Sequence, residues 1–228
     1  MSAPGRSPVR IRPHRRVAAV LALASVLLAA CASGERVPDW SINAVAHLDR
    51  FSQAHLEGDT RVARREFDLT RADTARTGRP DLVARVELAR CAAQVASLDF
   101  MPCAGFEALR QDAGPPELAY ARYLAGEAGA ADAPLLPSQH RAIAAGGGDV
   151  GAIEDPFARL IAAGVLLRQG RASPAVVEQA ARTASRQGWR RPLLAWLGVQ
   201  AKLAQERGDA AEAERLRRRM DLVQPARR

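Results

Sequence analysis

The chain has 228 residues, of which 48% are hydrophobic and only 4% aromatic, and its formal net charge is +8. Five of its 33 basic residues precede Val17, so the remainder carries 28 basic against 25 acidic residues, a net charge of about +3. This balance provides no basic face spread across a domain, and we therefore expect no nucleic-acid partner.

The first predicted element is an export signal. Basic residues as far as Arg16 precede an uncharged apolar run from Val17 to Ala30. The run is shorter than the roughly 20 residues that span a bilayer. A buried N-terminal helix of a cytoplasmic protein is the alternative, but the run has no polar face to present to water.

The run ends in Leu28-Ala29-Ala30-Cys31, which resembles the cleavage motif of bacterial lipoproteins. The resemblance implies that residues 1–30 are removed and that Cys31 receives diacylglyceryl and acyl groups, with membrane lipid as a partner. The next residue is Ala32 rather than the aspartate that retains lipoproteins in the inner membrane. The implied location is the outer membrane, facing the periplasm, and residues 31–40 are expected to be a tether.

Residues 41–145 are predicted to form an N-terminal helical lobe. Gly58 ends the first helix and Asp59 caps the second. The third helix has two nearly opposite apolar stripes, so we expect it to pack between neighbours. Residues spaced three and four apart form the apolar stripes. In the first helix they are Ala44, Leu48, Phe51 and His55, and in the second Ala63, Phe67, Thr70 and Thr74. In the third helix one stripe is Leu82, Val86, Ala89, Ala93 and Ala96, and the opposite stripe is Leu88, Cys91, Val95 and Leu98.

Cys91 and Cys103 remain as a pair if Cys31 carries lipid. In an oxidising compartment such a pair is expected to form a disulfide. By closing the loop between the two cysteines, the disulfide would stabilise the fold by about 3 kcal/mol. The alternative is that Cys91 is a free cysteine buried as a small hydrophobic residue.

Shorter helical segments follow around residues 106–109, 117–124 and 139–145. A glycine-rich connection, residues 146–154, is predicted to separate this lobe from a C-terminal lobe, residues 155–224. There Asp-Pro and Ser-Pro pairs begin helices. Gly170, Gly188 and Gly208 end them, so the period of two helices is near 38 residues, as in helical-hairpin arrays. The fold class is therefore all-α, as an array of helical hairpins.

One pattern recurs in both halves of the chain. Ala54, Gly58, Asp59 and Ala63 match Ala204, Gly208, Asp209 and Ala213 at identical spacing. The pattern resembles a tetratricopeptide-type turn, in which small residues let two helices pack closely. Leu197-Gly198 resembles the Leu-Gly pair of that family, although Ala201 stands at its tyrosine position.

The chain as a whole resembles an uncharacterised group of proteobacterial outer-membrane lipoproteins. The resemblance is carried by GRPDLVARVELARCAAQVASL at 78–98, PCAGFEAL at 102–109 and QGWRRPLLAWLGVQ at 187–200. It implies no particular activity.

No catalytic constellation is recognisable, and we expect no cofactor and no metal. His47 and His55 are two helical turns apart, about 12 Å, too far to share a metal ion without further ligands. Glu107 and Glu154 are the candidates for the catalytic acid of a peptidoglycan-cleaving enzyme, although both are also explained as surface acids.

The sequence therefore predicts a non-catalytic scaffold or adaptor that binds another envelope protein or peptide. Trp189, Arg190, Arg191 and Trp196 are the candidate contact residues, because tryptophan and arginine dominate binding hot spots. The alternative is that the two tryptophans, seven residues apart on one helix face, are core residues, and this alternative is favoured for Trp196. The alternatives are an enzyme that modifies an envelope polymer and a carrier of an apolar small molecule.

Overall fold

The computed structural model describes residues 37–224, so the predicted signal peptide and Cys31 lie outside the described residues. Within that range the regular elements are all helices, which confirms the all-α prediction. The ten α-helices are α1 (Asp39–Glu57), α2 (Thr60–Ala75), α3 (Pro80–Ala96), α4 (Ala104–Glu107), α5 (Pro115–Ala125), α6 (Ser138–Ala144), α7 (Pro156–Arg168), α8 (Pro174–Gln187), α9 (Arg190–Glu206) and α10 (Ala210–Val223). Three short 3₁₀ turns lie at Arg110–Asp112, Ala133–Leu135 and Val150–Ala152.

The repeated turn is the same structure in α1–α2 and α9–α10. The Asp59 backbone N–H donates to Ala54 O at 2.8 Å, and that of Asp209 donates to Ala204 O at 2.9 Å. Each aspartate carboxylate then accepts the backbone N–H three residues on, at 3.0 Å. The glycine before it has a φ of +89° in the first turn and +75° in the second, a conformation that favours glycine.

Helix α3 is the centre of the fold. It packs against α1, α2, α5 and α7, as its two predicted apolar stripes require. Gly164 of α7 lies directly on α3, where an added Cβ would overlap the carbonyl oxygen of Val95. The buried residues of α3 are distributed around the whole helix axis: Val83, Ala84, Val86, Glu87, Leu88, Cys91, Ala92, Ala93, Val95 and Ala96.

The hydrophobic core continues across the segment predicted to divide two lobes. The chain from Asp39 onward forms one compact unit, and one cluster of buried residues extends from Leu56 of α1 to Leu216 of α10. Val150 and Ile153, within residues 146–154, are themselves buried in that cluster. The structure therefore differs from the predicted boundary between residues 41–145 and 155–224, because the connection contributes side chains to a shared core. Helix α1 also begins at Asp39, inside the predicted tether.

The predicted disulfide is present. It joins Cys91 of α3 to Cys103, the residue before α4, with their Cα atoms 5.9 Å apart. The bridge ties the loop that leaves α3 back onto the same helix.

The contact between α7 and α3 leads to a stability prediction. Replacing Gly164 by Ala should lower the free energy of unfolding by about 1–3 kcal/mol, because the new methyl group forces α7 away from Val95. The matched control is Gly198→Ala in α9, where nothing lies within 4 Å of an added Cβ. That variant should be as stable as the parent chain or up to about 1 kcal/mol more stable. Equal denaturant midpoints for the two variants would contradict the prediction.

Candidate functional site

The two tryptophans predicted as contact residues are buried. Trp196 is 0% exposed, and its indole N–H donates to the backbone oxygen of Ala96 at 3.2 Å. Trp189 is 7% exposed, packs edge-on against Phe157, and donates its indole N–H to the side chain of Gln53 at 3.3 Å. Both side chains are core residues that connect helices.

The two arginines beside them make contacts within the chain. The Arg190 side chain donates to the backbone oxygen of Glu57 at 2.9 Å, and Arg191 donates to that of His55 at 2.7 Å and to the Thr60 hydroxyl at 2.9 Å. The last carbonyl groups of a helix have no partner within it and carry partial negative charge. Arginine side chains therefore satisfy the end of α1.

The burial of Trp189 and Trp196 agrees with the alternative that they are core residues. Trp189, Arg190, Arg191 and Trp196 connect the start of α9 to α1, α3 and α7. Arg190 is still exposed to solvent, so a contact between these arginines and a partner stays a prediction. The chemistry that marks an intermolecular hot spot is used here between helices of one chain.

The acids proposed from sequence are both exposed. Glu107 pairs with Arg110 at 2.7 Å, and this side-chain hydrogen bond lowers the pKa of Glu107. Glu154 is also exposed. A catalytic acid of the expected kind needs burial among apolar groups, whereas both of these carboxylates are exposed to solvent.

The sequence did not point to the two glutamates that are buried. Glu87 is 3% exposed and lies between Arg71, at 2.9 Å, and Arg90, at 2.7 Å. Glu117 is 6% exposed and accepts from Arg85 at 2.6 Å. The burial of Glu87 could have been predicted from its position within a helix that is apolar on both sides.

Three histidines lie within residues 37–224, and each has different neighbours. His47 contacts Glu66, with 2.6 Å between Nδ1 and Oε2. Burial, followed by the charge of Arg191, lowers the pKa of His55 to about 4. Burial lowers the pKa of His140 to about 4. Within residues 37–224, no three His, Cys, Asp or Glu side chains are grouped so that they could hold a metal ion.

An open apolar depression lies beside α3. Its volume is about 490 Å³. Leu88, Ala89 and Ala92 of α3 form its floor. The walls come from the start of α5, the segment 135–137 and the first turns of α7.

A second apolar depression has a volume of about 200 Å³. Leu82 and Val86 of α3, Trp40 and Val45 of α1, and α2 line it. Arg85 lines both depressions. We call the two together the α3 groove.

A buried aromatic group supports one wall of the α3 groove. Tyr120 lines the groove and stacks on Tyr123 and His140, with ring centroids 6.1 and 6.0 Å apart. The Tyr123 hydroxyl is 3.1 Å from Nδ1 of His140. This hydrogen bond holds the rings of Tyr123 and His140 behind Tyr120, the residue that lines the groove.

Comparison with known proteins adds no assignment. No family model matches the chain, and no curated protein or solved structure is significantly similar to it. No helix among residues 37–224 is long and apolar enough to cross a membrane.

The depressed pKa of His140 predicts acid sensitivity. Unfolded chains take up the proton near pH 6.5, whereas the folded protein takes it up only near pH 4. The free energy of unfolding should therefore fall between pH 7 and pH 4, with His140 contributing up to about 3 kcal/mol. The measurement is denaturant unfolding at several pH values for the parent chain and for His140→Gln. The variant should show a shallower fall, and parallel curves would contradict the assignment.

Proposed function

We propose that this protein is a lipid-anchored, non-catalytic scaffold of the bacterial cell envelope. Its α3 groove binds an apolar peptide segment of another envelope protein, and its anchor is the acylated Cys31 at the outer membrane, facing the periplasm. The observation that carries the proposal is the pair of mainly apolar depressions beside α3, which are open to solvent.

The length of the groove fits a peptide segment. Leu82 and Ala92, the outermost α3 residues of the two depressions, are ten positions apart, or about 15 Å along the helix. That distance equals nearly three turns of a partner helix, or four to five residues of an extended strand, at about 3.3 Å each. Apolar side chains in such a segment would fill the two depressions in turn.

The charge distribution of the groove adds a requirement on the partner. Arg85 stands where the two depressions meet, with its side chain 59% exposed, and it donates to the buried carboxylate of Glu117. A bound segment therefore needs a polar group between its apolar residues, placed to accept from the free donors of Arg85. This polar contact would set the register of the peptide, while the apolar depressions supply most of the affinity.

Crosslinking within the groove tests the peptide proposal. Leu135 lies on the rim and is 41% exposed, so a photoreactive amino acid there should give protein adducts in intact cells. The same amino acid at Leu222, 87% exposed on α10, is the control and should not give those adducts.

A second variant makes the crosslinking result specific. Ala89→Arg places a long side chain in the groove and should abolish the Leu135 adducts, whereas Ala211→Arg, at an exposed position of α10, should leave them unchanged. Thermal melting checks that both variants fold. Adducts that persist in folded Ala89→Arg would refute binding in the groove.

A carrier of an apolar small molecule is the second candidate. The larger depression has a volume of about 490 Å³, within the range of roughly 300–1,000 Å³ typical of small-molecule pockets, and its lining is mainly apolar. Native mass spectrometry of detergent-free protein distinguishes the two. A bound small molecule that is lost in Ala89→Arg would favour the carrier over the scaffold.

The anchor is tested at Cys31. The parent chain should fractionate with the outer membrane, and the intact mass of the mature protein should include the diacylglyceryl and acyl groups. Cys31→Ser should remove these groups and weaken membrane association, because several acyl chains anchor firmly where a single chain binds reversibly. Unacylated native protein with residues 1–30 still attached would refute the anchor.

A further inference from the structure

We infer that the segment bound in the α3 groove is an amphipathic helix of the partner, with apolar side chains at positions i, i+3 and i+7 and a neutral carboxamide side chain, asparagine or glutamine, at i+4. This inference rests on the proposed function of the groove and deepens it by naming the conformation and the chemistry of the segment that binds there.

The floor and the irregular wall of the α3 groove have few backbone groups for a peptide to bond. Beyond its first turn, the floor helix uses its N–H groups within the helix. In the wall segment 135–137, the N–H groups of the two leucines donate to carbonyl oxygens within the chain, at 2.9 and 3.2 Å, and Pro137 has no N–H group. Residues 37–224 contain no strand, so they offer no sheet edge that a peptide strand could extend.

This scarcity favours a helical occupant over an extended one. An extended peptide pressed into the groove would bury most of its N–H and C=O groups without partners, and unpaired buried backbone groups cost free energy. A helix satisfies its own backbone groups and presents only side chains to the groove.

The shape of the groove also suits a helix. Ala89 and Ala92 line the larger depression, and such small side chains let the axis of a second helix approach α3 at the short end of the usual range of about 8–10 Å. Helices contribute to the walls as well, α1 and α2 at the smaller depression and α5 and α7 at the larger. A partner helix would therefore pack here as the helices of this chain pack on one another.

The length of the groove gives the spacing of the apolar residues. Leu82 and Ala92 are ten positions apart, and a partner helix rises by the same distance per residue, so about ten of its residues lie over the floor. Positions i, i+3 and i+7 share one face of a helix and span about 10 Å. Three apolar side chains on that face can therefore enter the two depressions.

Arg85 determines the polar residue of the partner. It lines both depressions, and its Nε donates to Oε1 of Glu117 at 2.6 Å. Among residues 37–224, its two terminal nitrogens have no hydrogen-bond partner. Glu117 already balances the positive charge, so a second carboxylate would be repelled by it, whereas a carboxamide oxygen accepts from the guanidinium without adding charge.

Photocrosslinking to synthetic peptides tests the conformation. The full chain carries the photoreactive amino acid at Leu135, on the rim of the groove. The probe is a biotinylated peptide of about four helical turns, with leucine at i, i+3 and i+7, glutamine at i+4, and alanine, lysine and serine elsewhere. A second peptide differs only by proline at i+5, on the face turned away from the groove. Because proline breaks a helix interior, its adduct yield should be lower by about tenfold or more.

Exchange of the polar residue tests the contact with Arg85. In the parent chain, the glutamine peptide should give about threefold more adduct than peptides with glutamate or leucine at i+4. Arg85→Met removes the donors and should abolish this preference. The matched control is Arg182→Met, at an exposed arginine of α8 that also donates to a glutamate, and it should keep the preference. Thermal melting checks that both variants fold, and the peptide comparisons in the parent chain do not depend on either.

The outcomes separate this inference from the proposed function. Equal yields from the proline peptide and the probe would overturn the helix, and equal yields from all three residues at i+4 would overturn the carboxamide contact. Both results leave peptide binding in the groove intact. Absence of any adduct that Ala89→Arg abolishes would instead refute peptide binding in the groove itself.

Discussion

The fold depends on the close approach of α7 to α3. A glycine at position 164 lets one helix rest on the backbone of the other, near Val95, at a separation that no side chain permits. Helix α3 also packs against α1, α2 and α5. The disulfide between Cys91 and Cys103 reinforces the same helix. Because α3 is also the floor of the groove, the constraint that organises the core shapes the proposed binding surface as well.

At the start of α9, tryptophan and arginine side chains make contacts within the chain, although the same residue types are common in contacts between proteins. Tryptophan and arginine combine a large apolar area with donors of fixed geometry, and these properties suit any interface. In this chain the interface is internal: Arg190 and Arg191 satisfy the end of α1, and Trp196 reaches the end of α3. The mainly apolar depression that is open to solvent lies instead beside α3, where Arg85 donates to Glu117.

The sequence by itself determined the helices, their caps and the repeated turn. Spacings of three and four residues, and Gly-Asp pairs at Gly58 and Gly208, depend on interactions within a few residues of each other, so local chemistry is sufficient. It also predicted that α3 is buried on opposite sides and that Cys91 pairs with Cys103. Only the tertiary structure decided that residues 146–154 join one core and that the tryptophans are internal. It also placed Glu87 and Glu117 in buried ion pairs. Each of these facts depends on residues far apart in the chain: 136 positions separate Trp189 from Gln53, and 32 separate Arg85 from Glu117. The residue pattern within a single helix cannot predict contacts between residues so far apart in the sequence.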